Sequence, residues 1–208
     1  MQTVILILEI IGSVAFSFSG AMLGIKKQFD IFGIIILGVV TTVGGGFIRD
    51  ITIGVTPPIM FSNPIYCTTA VITSLLICLP FVRRFLHKKI IYGAMAVLMD
   101  SAGLAAFTVT GVAYAYQNNA DNYFLVVFTG VISGIGGGIL RDVFAGEQPH
   151  IFRKHIYACA SIIGAVLCAW LMNVISYERA MIISALTVLI IRLISAYFKI
   201  NLPRIKDE

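Results

Sequence analysis

Charge is scarce in this chain. Of its 208 residues 12% are charged, with 10 acids against 15 lysines and arginines. A soluble globular domain carries about 25% charged residues. So little charge, beside 59% hydrophobic residues and a mean hydropathy of +0.96, excludes an ordinary soluble fold. Catalytic signatures are missing as well. No Ser-His-Asp, Cys-His or paired-carboxylate arrangement stands out, so no enzyme is expected. The four cysteines, Cys67, Cys78, Cys159 and Cys168, have no metal-ligand spacing and fall inside apolar runs. They read as small packing residues, not disulfides or ligands. No cofactor or metal is implied. The glycine clusters lack a following Gly-Lys-[Ser/Thr] and are not phosphate loops.

What the chain has is long apolar runs. A membrane helix needs about 20 mostly apolar residues. Seven stretches qualify: residues 4–23, 31–55, 64–82, 90–116, 123–145, 156–176 and 180–198. The expected fold is an all-α membrane protein with seven transmembrane helices. The first run follows Met-Gln-Thr-Val, with no basic segment before it and no cleavage site after it, and reads as a true helix rather than a signal. Alternate loops hold the basic residues: Lys26 and Lys27; Arg83, Arg84, Lys88 and Lys89; Arg153 and Lys154; then Lys199, Arg204 and Lys206 in the tail. The opposite loops hold only Arg179. Cytoplasmic loops are the basic ones, so the N-terminus is expected outside and the C-terminus in the cytoplasm. That bias also accounts for the net charge of +5, with anionic headgroups as partners and not nucleic acid.

The chain repeats itself. Residues 9–20 read EIIGSVAFSFSG and residues 100–111 read DSAGLAAFTVTG. Residues 44–50 read GGGFIRD and residues 136–142 read GGGILRD. Beyond these, RDITIGVTPPI answers RDVFAGEQPHI, which aligns Gly54 with Gly146 and Pro57 with Pro149; Ile65-Tyr66 then answers Ile156-Tyr157. Three matches in one order point to duplication. Each copy holds three apolar stretches, and an odd number of crossings turns the second copy upside down. The expected units are residues 1–86, the inverted copy 87–176, and a seventh helix with a basic tail, 177–208. In inverted repeats, interrupted helices in corresponding positions mark the site.

Three adjacent glycines weaken a helix by about 1 kcal/mol each relative to Ala. They also bare about one turn. Gly44, Gly45, Gly46, Gly136, Gly137 and Gly138 therefore permit close helix packing or a kink that turns carbonyls towards a water-filled path. A kink with close packing around it is the expectation. Arg49-Asp50 and Arg141-Asp142 follow the triplets, and Glu9 and Asp100 hold equivalent places in the first and fourth stretches. Asp100 lies about ten residues into its stretch, or ~15 Å at 1.5 Å per residue. Ionisable groups at that depth face an interior or a cavity. The repeat acids are expected to pair with the motif arginines, as structural pairs, pore lining or both. Ser17, Ser19, Thr108 and Thr110 are weaker pore-lining candidates, since such hydroxyls often bond their own backbone. Arg192, near the end of the last stretch, is expected to reach the interface and play no special part. His150 and His155, beside Arg153 and Lys154, are expected to meet headgroups rather than a metal.

The doubled GGG-x-x-Arg-Asp, the 3 + 3 + 1 layout and the length resemble the prokaryotic trimeric intracellular cation (TRIC) channels. The same group is also described as glycine-transporter-like. The resemblance covers roughly residues 3–198. It implies a homotrimer in the prokaryotic inner membrane, with a separate potassium- or sodium-permeable pore in each protomer and kinks at the two triplets. The Lys-Glu-Val tripeptide associated with regulation of the animal members is absent. Three functions compete: a passive monovalent cation channel, which the paired glycine breaks and buried polar residues favour; a carrier for a small solute such as an amino acid, glycine for example; and a non-conducting membrane scaffold.

Overall fold

The computed structural model describes residues 2–86, 89–118, 120, 122–153 and 156–200. Lys88, Lys154, His155, Arg204 and Lys206, which entered the reading above, lie outside the described residues. All regular structure among the described residues is helical. The helices are α1 (Gln2–Lys26), α2 (Ile31–Thr52), α3 (Ile59–Ser62), α4 (Ile65–Cys78), α5 (Pro80–Leu86), α6 (Lys89–Gln117), α7 (Tyr123–Phe144), α8 (His150–Arg153), α9 (Tyr157–Leu171) and α10 (Tyr177–Tyr197).

Five of them, α1, α2, α6, α7 and α10, are long and apolar enough to cross a membrane. The third and sixth apolar stretches form shorter helices than expected. α4 has 14 residues and α9 has 15. At 1.5 Å per residue, 14 residues rise about 21 Å, short of a hydrocarbon core of about 30 Å. For the third stretch the cause is Pro80. Its ring pushes the preceding residue out of the helical region, and Leu79 is extended at φ −60, ψ 135. Proline is tolerated at a first helical position, so α5 restarts at Pro80 itself.

The element order is the same in both halves: two long helices, a four-residue helix and a short apolar helix, α1–α4 and then α6–α9. Details repeat too. α2 ends where the Ile53, Gly54 and Val55 amides donate to the carbonyls of Arg49, Ile51 and Asp50. α7 ends where those of Ala145, Gly146 and Glu147 donate to Arg141, Val143 and Asp142. Both caps need a left-handed residue, which glycine supplies without a Cβ penalty: Gly54 has φ +73 and Gly146 has φ +64. Gly20 lets α1 meet α2 at Leu37 and Gly38, and Gly111 lets α6 meet α7 at Thr129 and Gly130.

The triplets lie where α2 and α7 cross. A Cβ on Gly45 would run into the Ser133 carbonyl oxygen, and one on Gly137 into that of Thr41. The two bared turns are pressed on each other, with the Gly45 Cα only 3.1 Å from where a Gly136 Cβ would be. The helical segments run unbroken through both triplets, and the backbone bared by the glycines is covered by the partner backbone, which is the close packing expected around them. Beside the crossing, the rings of Phe16 and Phe107 lie 5.3 Å apart. Phe16 rests on Gly103 and Gly137, and Phe107 on Gly12. A further apolar core joins α6, α7, α9 and α10 through Val112, Val126, Cys168 and Met181.

The crossing predicts a contrast between neighbouring glycines. Gly45→Ala and Gly137→Ala should each destabilise the protein by about 1–3 kcal/mol, the range for overpacking. Gly46→Ala should stay within about 1 kcal/mol of the parent, because the nearest atom to its Cβ would be 3.6 Å away. Unfolding midpoints in detergent would read the difference.

Candidate functional site

The helix face that meets the partner helix at Gly45 carries Arg49 one turn later, because residues four apart share a face. Gly137 and Arg141 stand in the same relation. Each arginine is thereby placed deep between helices: Arg49 is 3% exposed and Arg141 is 2%. A guanidinium there needs acids around it. The first comes from the next residue. Arg49 Nε donates to Asp50 Oδ1 at 2.8 Å, and Arg141 Nε to Asp142 Oδ1 at 2.9 Å. The other oxygen of each aspartate caps a short helix. The Ile59 amide, at the start of α3, donates to Asp50 Oδ2 at 2.8 Å. The His150 amide, at the start of α8, donates to Asp142 Oδ2 at 2.9 Å. The Arg-Asp pair thus folds each loop back onto the helix it follows.

The repeat acid is the second partner. Arg49 Nη1 lies 3.4 Å from Glu9 Oε1, and Arg141 Nη1 lies 2.6 Å from Asp100 Oδ1. All six charged groups are buried. Around this shared plan the two clusters differ. Glu9 Oε2 accepts from Tyr66 at 2.6 Å and from Tyr114 at 3.2 Å, and the Tyr114 ring lies 4.0 Å from the Arg49 guanidinium carbon. In the second cluster Ser19 joins Arg141 Nη1 at 2.6 Å, and His150 Nδ1 lies 3.2 Å from Arg141 Nη2. His150 therefore faces Arg141 and not headgroups alone.

Arg192 of α10 overturns its expected snorkelling. It is 4% exposed, with Nη2 3.5 Å from Asp100 Oδ2 and its guanidinium carbon 4.7 Å from the centre of the Tyr157 ring. The carboxylate of Asp100 and the face of Tyr157 draw it inward. Tyr157 is the counterpart of Tyr66, but its hydroxyl has no partner among the described residues. No spacing in the sequence linked Arg192 or these tyrosines to the acids. The aligned Ile-Tyr pairs were the one available signal.

Two cavities adjoin these clusters. The first, about 20 Å³, is lined by Glu9, Ser13, Thr42, Gly46, Arg49, Asp50, Tyr66 and Phe107 among others. The second, about 440 Å³, is lined by Ser19, Lys26, Tyr92, Asp100, Arg141, His150, Tyr157 and Arg192 among others. Of the hydroxyls singled out in the sequence, Ser19 lines a cavity. Ser17 donates to the Ala70 carbonyl at 2.7 Å and lies 3.0 Å from Ser74 Oγ. Thr108 lies 2.8 Å from Ser161 Oγ, and Thr110 donates to the Phe107 carbonyl at 3.4 Å. Ser17 and Thr108 tie helices together, whereas Thr110 bonds its own helix. Of the triplet glycines Gly46 lines the first cavity, and a Cβ on Gly138 would meet the Tyr157 hydroxyl at 2.7 Å. Among the described residues no group of acids, histidines and cysteines could hold a metal ion.

Residues 6–80 and 97–173 match the family described as Glycine transporter. The two matched segments fall one in each half of the chain. The UPF0126 inner membrane protein YadS of Escherichia coli strain K12 is 39% identical over 199 residues, which cover 94% of this chain and 93% of that one. Among solved structures, a prokaryotic TRIC channel in 0.5 M KCl superposes with a TM-score of 0.89 at 30% identity, covering 97% of this chain and 100% of that one. The TRIC trimeric intracellular cation channel orthologue from Rhodobacter sphaeroides gives 0.87 at 30% identity, covering 96% and 100%. The chain belongs to this glycine-transporter family of membrane proteins.

The second cluster predicts strong coupling. Asp100→Asn leaves Arg141 and Arg192 short of a counter-charge and should cost about 3–5 kcal/mol of stability. Arg141→Gln should cost a similar amount. The double variant should lose less than the sum, by about 1–3 kcal/mol. A double-mutant cycle on thermal unfolding measures the term, and additive losses would show that the two groups do not support each other.

Proposed function

We propose that this member of the glycine-transporter family is a passive monovalent cation channel, permeable to potassium, with a path through each protomer of a homotrimer. The observation that carries the reading is the pair of cavities, each beside a buried acid–arginine–aspartate cluster of one repeat. A bare ion in hydrocarbon is costly, and polar chambers entering from the two faces shorten the dry part of its route. The solved relatives support the same reading, one being described as a TRIC channel and the other as a trimeric intracellular cation channel orthologue. With the N-terminus outside, as the lysines and arginines of the loops suggest, the first cavity opens outward and the second towards the cytoplasm of a prokaryotic inner membrane. Phe16 and Phe107, in contact, then form the barrier of a closed state.

A second reading has its own observation. Two chambers parted by a barrier also suit alternating access, and the family description names glycine. The two readings differ in what purified protein does in a membrane. As a channel it should give single-channel potassium steps in planar bilayers without a co-substrate, driven by about 2.3 kcal/mol per charge for each 100 mV. A carrier would give no unitary current and would exchange labelled glycine across liposomes with saturation and counterflow. That second pattern would overturn the channel reading.

A further inference from the structure

The internal duplication makes each cluster a control for the other, and their charges do not match. In the second, Asp100 and Asp142 face two guanidinium groups, Arg141 and Arg192. In the first, Glu9 and Asp50 face one, Arg49. Among the described residues no second arginine or lysine pairs with Glu9, and the helix that supplies Arg192 follows the second repeat. Three donors converge on the Glu9 carboxyl: Tyr66, Tyr114 and Arg49. That arrangement fits the ionised, acceptor-only form. With Glu9 in that form, the first cluster carries one negative charge in excess, at 2% exposure for Glu9 and 1% for Asp50. A buried charge without a counter-charge is expensive.

The same cavity holds a second sign of an occupant. Ser13 lies one turn along α1 from Glu9 and on the same face. It is fully buried, it lines the cavity, and its Oγ has no hydrogen-bond partner among the described residues. Thr42 lines the cavity as well. Its hydroxyl donates to the Gly38 carbonyl at 2.9 Å, which leaves its lone pairs for another group. A carboxylate and two hydroxyl oxygens are the ligands a hard cation takes. The volume of about 20 Å³ is enough for one water-sized occupant, and an unhydrated potassium ion is about that size. One excess charge calls for a monovalent ion.

We propose that the first cavity is a binding site for one dehydrated monovalent cation of the potassium size class, held by Glu9, Ser13 and Thr42. Its meaning as a stopping place for a permeant ion rests on the channel reading; the site itself does not. Arg192 then fills, as a tethered cation, the corresponding electrostatic role beside Asp100, and the second repeat needs no ion.

Two measurements on purified full-length protein test this. Crystals soaked in rubidium chloride should show an anomalous peak between Glu9 and Ser13. Thermal unfolding in potassium chloride should be compared with N-methyl-D-glucamine chloride at equal ionic strength. Once the site saturates, each tenfold rise in potassium should raise the folded-to-unfolded ratio about tenfold. Glu9→Gln should abolish both the peak and the potassium dependence. Ser13→Ala, which removes only one hydroxyl, should weaken the dependence and keeps the test open if Glu9→Gln does not fold. Arg192→Gln should leave the peak at Glu9 in place. No peak, with equal stability in the two salts and a stability that follows pH instead, would make a proton on Glu9 the occupant and overturn the site. So would rubidium found only beside Asp100. Current without a peak at Glu9 would remove the site and keep the channel; a peak without current would keep the site and remove the channel.

Discussion

A guanidinium held between helices in an apolar surrounding must be met by acids, and the architecture is arranged around two such groups. Arg49 and Arg141 are both nearly inaccessible. Each takes one carboxylate from its own helix and one from the neighbouring long helix. Reaching that second acid requires α2 and α7 to sit deep among the other helices. The glycine triplets make this possible, because their bared turns press backbone to backbone. The aspartate after each arginine then caps the next short helix. Four residues further on, a left-handed glycine ends the long helix and turns the chain towards it. The motif is thus one device. Its glycines set the depth, its arginine and aspartate satisfy each other there, and its last glycine starts the return.

The device occurs twice, and α10 makes the two copies unequal. Tyr66 gives its hydroxyl to Glu9. Its counterpart Tyr157 offers Arg192 the face of its ring instead. The ion pair Glu9–Arg49 is long at 3.4 Å, whereas Asp100–Arg141 is short at 2.6 Å. Glutamate has one more methylene than aspartate, and two tyrosines compete for its oxygens. The second copy answers its acids with two arginines. The first meets Glu9 with one arginine and two tyrosine hydroxyls. Hydroxyls can reorient towards whatever enters beside them; a stacked, paired guanidinium has less freedom to do so.

Much of this was legible from the residues alone, and the rest was not for definable reasons. Hydropathy is additive along the chain, so the five long helices stood out. Self-similarity is also local, so Glu9 could be matched to Asp100 and Arg49 to Arg141 without knowing where they lie. The interruption of the third stretch was legible in principle at Pro80, but averaging over 19 or so residues smooths a single proline away. Which acid meets which arginine depends on how two helices cross, and no spacing encodes that. Arg192 was misread for the same cause. Seen along its own helix it is a basic residue near an end, which ordinarily snorkels. Only packing of α10 against α6 and α9 brings Asp100 and Tyr157 within its reach. The triplets were read as a kink with close packing around it, because three glycines are poor helix formers and bare a turn. In the fold their missing side chains matter more than their flexibility, since what fills the gap is another helix.

The centre of the molecule follows from the same contact. Phe16 rests on Gly137 of α7 and on Gly103 of α6; Phe107 rests on Gly12 of α1; and Gly137 itself is covered by the Thr41 carbonyl of α2. The Phe16–Phe107 stack and the crossing of α2 with α7 therefore share the surface at Gly137. Close-packed interiors do not deform smoothly; a displacement at one contact is felt by its neighbours. A shift of α2 along α7 would lift the surface on which Phe16 lies, and Phe16 is in turn stacked against Phe107. The buried ion pairs oppose such a shift, since each anchors a long helix of its repeat one turn beyond the glycines. The ion pairs tie α2 to α1 and α7 to α6, while the glycines let α2 and α7 meet backbone to backbone, and both bear on the surface that Phe16 covers.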